Sequence, residues 1–144
     1  MRYLPAVVVL TFAVACGWFV WAQEAEKAPA FEERLPPCVV KTVPDDRAMD
    51  VDPDLREIKV TYDRPMDKTS MSWIIHRNLG VYPGSRDLGP PHFEDDGRAC
   101  VLPVRLQRGT VYAVGVNSFR HTNFRDAKGH IAVPHVWVFR TREH

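Results

Sequence analysis

The sequence predicts an all-β domain of about seven short strands packed as two antiparallel sheets. From Pro36 onward, apolar and polar residues alternate with a period of two, as they do in half-buried strands. Clusters of Pro, Gly and Asp separate the alternating runs at short intervals. A sustained period of 3.6 residues with helix caps is not found, and 12 Pro and 8 Gly argue further against a helical bundle.

The strands can be placed in chain order. A first strand is predicted at Cys38–Val43, directly after two prolines, and a second at Glu57–Asp63, where every other residue is apolar. Met71–Ile75 is a weaker candidate, because a helical turn also fits it. Three later runs alternate in the same way, namely Cys100–Leu106, Tyr112–Val116 and His135–Arg140.

Length and composition limit the function classes. A chain of 144 residues with 45% hydrophobic and 26% charged residues holds one globular domain. Its formal net charge of +1 gives no large field that would draw it to nucleic acid or to an anionic membrane surface. We therefore expect no nucleic-acid partner, and contact with a membrane only through the N-terminal segment.

Residues 1–22 have the layout of a secretory signal peptide, with one cation, Arg2, before an apolar run that reaches Ala22. Two alternatives stay open. Cys16 follows a sequence that resembles a lipoprotein processing site, and the run is long enough to remain as an uncut membrane anchor. All three place residues 23–35, a charged linker, and the domain at 36–143 outside the cytoplasm.

Tyr112 stands at the start of a predicted strand, just after the turn at Gln107–Gly109. Immunoglobulin-like sandwiches carry a tyrosine corner at this position, in which the phenol bonds a nearby backbone group. The sequence therefore predicts an immunoglobulin-like β-sandwich with Tyr112 as its corner.

Several segments then resemble one family in the same order along the chain. Pro44 and Pro53 lie in the first matching part, which follows a strand that begins after a proline pair. Tyr62 begins an aromatic-x-x-Pro-Met-Asp motif, and Phe124 begins a Phe-x-Asp-x-x-Gly motif in a loop. The matching segments are Val43–Asp46, Ala48–Pro53, Tyr62–Asp67, Leu106–Tyr112, Phe124–His130 and Phe139–Thr141. Together they resemble the bacterial Ig-like domains of the SbsA type (Big_5) over nearly all of residues 36–141. The resemblance implies an extracytoplasmic structural or binding module, and it implies no catalytic residues.

Cys38 and Cys100 are the cysteines that remain after removal of a signal peptide. An oxidising compartment permits a disulfide between them. The other interpretation is two buried free thiols, because both lie in apolar strands where cysteine packs as a small hydrophobic residue.

Metal and enzyme signatures are not found. Asp50, Asp52 and Asp54 alternate as carboxylates around Ca²⁺ do, but Pro53 interrupts the loop and turn formation explains them without an ion. The six histidines form no His-x₃-His pair, and Gly-x-Ser-x-Gly, His-Glu-x-x-His and phosphate-binding glycine motifs are missing. We predict no metal, no cofactor and no enzymatic activity.

Two connections are long for a compact domain. Asn78–Gly97 contains Tyr82, His92 and Phe93, which are interface candidates, although Phe93 also fits a short strand tucked against the core. In Asn117–Ile131 we expect Phe124 to anchor the connection to the sandwich.

These observations lead to one hypothesis and one alternative. The chain is predicted to be an exported, non-enzymatic Ig-like module that contacts an unidentified envelope or secreted protein. The alternative is a periplasmic protein that binds a small ligand or a metal through its histidines and the Asp50 region.

Overall fold

The computed structural model describes residues 34–144. The predicted signal peptide and all of the predicted linker except Arg34 and Leu35 lie outside these residues. Within them, no helix is both long enough and apolar enough to cross a membrane.

Seven strands and one 3₁₀ turn make up the regular structure of the described residues. The strands are β1 (Val39–Val43), β2 (Glu57–Tyr62), β3 (Trp73–Ile75), β4 (His92–Phe93), β5 (Ala99–Pro103), β6 (Val111–Val116) and β7 (His135–Arg140), and the 3₁₀ turn is Arg86–Leu88. One sheet has the order β1-β2-β5-β4 and the other the order β3-β6-β7, with antiparallel pairing throughout. This is the strand order of a constant-type immunoglobulin sandwich, so the predicted fold class is confirmed.

The core lies between the two sheets and follows from the period-two pattern. Ile58, Val60 and Tyr62 of β2 are fully buried. Apolar side chains of β5, β6 and β7 complete this core, among them Cys100, Leu102, Tyr112, Val114, Val116, Trp137 and Phe139. Alternate residues of each strand therefore share one inward face, as the sequence predicts.

Phe124 fills one end of this core, although it belongs to no strand. Its ring centroid lies 5.5 Å from that of Tyr62, 5.7 Å from that of Trp73 and 6.0 Å from that of Phe93. Full burial of such a side chain contributes about 1.5–3 kcal/mol. The connection after β6 is thus fixed to both sheets, and the expectation that Phe124 anchors it is confirmed.

The long connection before β4 runs along the sandwich rather than away from it. Val81 forms a parallel bridge to Tyr112, and Gly84 forms an antiparallel bridge to Val104. A Cβ atom at Gly80 would lie 2.9 Å from the carbonyl oxygen of Val111, so only glycine allows this close approach.

Two of the edge strands, β7 and β1, are protected against pairing with another sheet. Beside β7, the backbone N–H of Arg47 donates to the carbonyl of Val138, and that of Val51 donates to Arg140. On β1 the register shifts between Val39 and Lys41, which leaves Val40 as a bulge. Bulges and lysines at an edge oppose strand addition.

Candidate functional site

Three loops meet at one end of the sandwich, which we call the loop end. They are the β2–β3 loop (63–72), the β4–β5 loop (94–98) and the β6–β7 loop (117–134). The hydroxyl of Ser70 donates to the carbonyl of Asn123 at 2.9 Å, which joins the first and third loops. The ammonium of Lys68 donates to the carbonyl of Asp95 at 2.7 Å, which joins the first and second.

Asn117 fixes the β6–β7 loop from inside. It is 2% exposed and has a φ of 56°, in the left-handed region that asparagine tolerates better than most residues. Its amide nitrogen donates to the carbonyls of Phe124 and Ala132, both at 2.9 Å. Its amide oxygen accepts from the N–H of Phe124 at 3.0 Å. One side chain thus bonds three backbone groups, of which the carbonyl of Phe124 also accepts from the N–H of Ala132 at 2.9 Å.

Asp126 organises the far side of the same loop. Its carboxylate accepts from the backbone N–H groups of Lys128 and His130, each at 2.9 Å. Oδ2 of Asp126 lies 2.9 Å from Nδ1 of His130 and 3.8 Å from a guanidinium nitrogen of Arg64. Burial alone would raise the pKa of Asp126, but the hydrogen bonds from His130 and Lys128 outweigh it and hold the pKa below its usual value.

The tip of this loop is a tight turn that presents Phe119 to solvent. The N–H of Ser118 donates to the carbonyl of His121 at 2.8 Å, and the Ser118 hydroxyl accepts from the N–H groups of Arg120 and His121. Phe119 is 103% exposed, the highest value among the exposed large apolar side chains of the described residues. The loop end therefore carries a fully solvated aromatic ring on an ordered turn.

Tyr112 lies where a tyrosine corner requires it. Its hydroxyl accepts from the backbone N–H of Gln107 at 2.6 Å. The Thr141 hydroxyl donates to the carbonyl of the same Gln107 and accepts from the N–H of Thr110. Two buried side chains thus hold the β5–β6 turn, which lies at the end of the sandwich opposite the loop end. The stabilising role of the corner stays a prediction.

The three interface candidates before β5 do not form one exposed surface. Phe93 lies in the short strand β4 and packs edge-on against Phe124. This confirms the interpretation of Phe93 as part of a short strand against the core. Tyr82 is partly buried against the core, and its ring lies 2.9 Å from where a Cβ of Gly84 would stand. Only His92 of the three is exposed.

The disulfide interpretation is corrected by the structure, in which Cys38 and Cys100 are both free. Cys38 bonds Asp63 next to the end of β2, whereas Cys100 pairs with Val60 on the other side of β2. Two strand spacings amount to about 10 Å, which exceeds the Cα separation of about 7 Å that a disulfide spans. The expectation that both thiols are buried also fails, since Cys38 is exposed.

The described residues contain no group of three or more His, Cys, Asp or Glu side chains that could hold a metal ion. The Asp50 region forms a turn in the connection between β1 and β2, in which the carboxylate of Asp52 accepts from the N–H of Asp54 at 3.0 Å. Asp52 also pairs with Arg142 at 3.0 Å.

Sequence reasoning missed two residues of the loop end, Asn117 and Phe119. Asparagine adopts a positive φ more readily than most residues, so Asn117, directly after a predicted strand, could have been singled out. Phe124 begins the Phe-x-Asp-x-x-Gly motif, but Phe119 lies outside every matching segment, so the sequence indicates neither burial nor exposure for it.

The strand order, the core and the Tyr112 contact together define an immunoglobulin-like β-sandwich. The family model of the bacterial Ig-like domain matches residues 33–141, and the chain belongs to this family.

Solved structures resemble the fold at low sequence identity. The CopC protein from Methylosinus trichosporium OB3b is 16% identical, with 75% of this chain and 95% of that chain covered and a TM-score of 0.53, which shows the fold alone. The S-layer protein rSbsC(31-844) is 19% identical, with a TM-score of 0.49. That alignment covers 80% of this chain but only 15% of the S-layer chain. No curated protein matches the sequence.

Proposed function

We propose that this chain is an exported, non-enzymatic Ig-like module that acts through contacts between its loop end and proteins or other components of the cell envelope. The observation that carries this proposal is Phe119. A ring that is 103% exposed contributes nothing to the packing of its own domain, yet it sits on a turn fixed by Ser118 and Asn117. Function concentrates on loops that a rigid scaffold positions, and aromatic residues are favoured contacts in interfaces.

The polar groups of the loop end support binding rather than catalysis. Asp126, the buried carboxylate, spends its hydrogen bonds on the backbone of its own loop and on His130. Ser70 and Ser72 bond the backbone at Asn123. None of these contacts pairs a nucleophile with a general base, which is the arrangement that covalent catalysis requires.

Export is tested on the full chain produced in a bacterial host. We expect added protease to digest the domain in intact spheroplasts, because the N-terminal apolar run directs it out of the cytoplasm. Mass spectrometry of the N-terminus then distinguishes cleavage after Ala22, lipidation at Cys16 and an uncut chain. Protection of the domain until the cells are lysed would contradict export.

Contact through the loop end is tested by photo-crosslinking in intact cells. A photoreactive amino acid replaces Phe119, and in a matched variant it replaces Met49, which is 64% exposed and lies near Arg140 at the opposite end. We expect crosslinks to envelope components from position 119 and few from position 49. Equal yields from both positions would overturn the assignment of the loop end as the contact surface.

The alternative of a periplasmic small-ligand or metal-binding protein has less support. Across residues 34–144, the structure supplies no set of ligating side chains from which to argue it. Elemental analysis of protein purified without a chelator tests this alternative. A stoichiometric metal would replace our proposal, whereas its absence would leave the binding module as the better account.

A further inference from the structure

We propose that the tip of the β6–β7 loop inserts Phe119 into the interfacial layer of a membrane that contains anionic lipids. This inference rests on the proposed export and loop-end contacts, and it names their partner as a lipid surface. Three features of the loop end carry it, namely its apolar tip, its local charge and the place where the chain enters the domain.

The apolar tip is available for insertion without any change in the fold. Phe119 stands in the turn between Ser118 and His121, whose backbone groups bond each other and the Ser118 hydroxyl. Its ring is wholly solvated. Transfer of a solvated phenyl group from water to an apolar layer is favourable, and here the transfer leaves every described contact of the loop intact.

Within the segment that carries the tip, the charged side chains have one sign. From Asn117 to Arg125 the loop carries two arginines and one histidine but no Asp or Glu. Arg125 is held within the loop, because its Nε donates to the carbonyl of Thr122 at 2.8 Å and its Nη2 donates to the Thr122 hydroxyl at 3.2 Å. Cations within a Debye length of an anionic bilayer are attracted to it. The excess is confined to this segment, because the three loops of the loop end together carry six acidic and six basic side chains.

The chain also enters the domain at this end. The carbonyl of Cys38 accepts from the N–H of Asp63 at 3.0 Å, and the carbonyl of Pro37 accepts from Val133 in the β6–β7 loop at 2.8 Å. The apolar run ends at Ala22, so residues 23–35 separate it from the domain by at most about 45 Å. In an uncut or lipidated chain, the loop end is therefore the part of the domain that the tether holds next to the bilayer.

A single aromatic residue and two arginines bind a membrane weakly on their own. In an uncut or lipidated chain, the tether raises the effective concentration of bilayer at the tip, as a second binding signal does. This combination of a modest tip and a nearby tether favours a lipid surface over a soluble protein as the partner.

The test places a tryptophan at the tip of the full chain by Phe119→Trp, with Met49→Trp as the matched variant. Both proteins are mixed with vesicles of phosphatidylglycerol and phosphatidylcholine that contain brominated lipids, which quench indole fluorescence at short range. Trp18, Trp21, Trp73 and Trp137 are common to both proteins, so the difference between them reports the added residue. We expect quenching at position 119 to exceed that at position 49 on anionic vesicles.

Two controls make the outcome decisive. For protein that begins at Gln23, and so lacks the apolar run that would dominate partitioning, Phe119→Ser should lower the partition coefficient onto anionic vesicles by about tenfold, while Met49→Ser leaves it unchanged. Equal quenching at positions 119 and 49, or equal quenching by phosphatidylcholine and anionic vesicles, would overturn the proposal. A photo-crosslink from position 119 to a protein, without lipid quenching, would also overturn it and yet would support the wider proposed function.

Discussion

Tyr62 and Tyr112 are both buried in the core, but their hydroxyl groups have different surroundings. The Tyr112 hydroxyl bonds the backbone N–H of Gln107 at 2.6 Å. The Tyr62 hydroxyl is buried without a hydrogen-bond partner among the described residues, and this burial raises the pKa of Tyr62. The hydroxyl group therefore has opposite effects on stability at the two positions, because a buried polar atom stabilises a fold only when it is hydrogen-bonded.

We predict that Tyr112→Phe lowers the free energy of unfolding by about 1 kcal/mol, since it leaves the Gln107 N–H without its acceptor. Tyr62→Phe is the matched control, which removes a hydroxyl without breaking a bond and should leave stability unchanged or raise it. Urea denaturation of the two variants measures both values. Equal destabilisation of the two would show that the corner hydrogen bond has no special weight.

The β6–β7 loop is an element without a strand or helix of its own, and a few side chains give it one conformation. Phe124 supplies the apolar contact with the core, and Asn117 supplies the polar contacts that satisfy its backbone. The loop therefore owes its shape to the sandwich beneath it, and its exposed tip inherits that rigidity.

We predict that Asn117→Ala costs about 2 kcal/mol, because it leaves the Phe124 N–H and the Ala132 carbonyl without their partner, while the Phe124 carbonyl keeps its bond from the Ala132 N–H. Asn117→Gly loses the same bonds but accepts the φ of 56° without strain. It should be more stable than the alanine variant by about 1 kcal/mol. Urea denaturation measures the free energy of unfolding of both variants. An alanine variant as stable as the wild type would contradict the role assigned to Asn117.

The Asp126 carboxylate makes the free energy of unfolding depend on pH in the acid range. Its folded pKa lies below the unfolded value of about 3.9, so its ionisation stabilises the fold above that value. This stabilisation is lost as the pH falls through the folded pKa. We expect the free energy of unfolding to decline below about pH 4, and to decline less steeply in Asp126→Asn. Asp50→Asn, an exposed change at the opposite end, should retain the full slope, and parallel curves for all three proteins would refute the prediction.

The molecule as a whole is held by its core and its backbone pairing, with both cysteines of the described residues free. β2 lies between the two cysteines, so their separation is a property of the sheet order rather than of either strand. Cys38 is exposed, whereas Cys100 is 0% exposed and burial raises the pKa of its thiol to about 12.

We predict that the native protein reacts with iodoacetamide at Cys38 and is protected at Cys100 until it unfolds, because only an accessible thiolate alkylates. Peptide mapping by mass spectrometry, before and after denaturation, measures the two sites separately. The melting temperature should be the same with and without a reductant. A peptide pair linked through Cys38 and Cys100 would contradict the sheet order described above.

Local patterns predict the strands well. Successive side chains of a strand point to opposite faces, so a half-buried strand shows alternating apolar and polar residues directly in the sequence. β2, β6 and β7 lie within one residue of their predicted bounds. β3, the weak candidate, is confirmed as the short strand Trp73–Ile75, which shares its sheet with β6. The short strand interpretation of Phe93 is confirmed as β4, but the course of the segment before it had no such signal, because Val81 and Gly84 are positioned by bridges to residues more than 15 positions away.

The sequence by itself determined the fold class, the family and the anchoring role of Phe124, because each depends on a local pattern or on the order of motifs. Only the tertiary structure decided that Cys38 and Cys100 are separated by β2 and that Phe93 faces inward. It also decided that Phe119, in the same connection, is solvated. These outcomes depend on which strands lie side by side, and that arrangement is set by the packing of two sheets around one core.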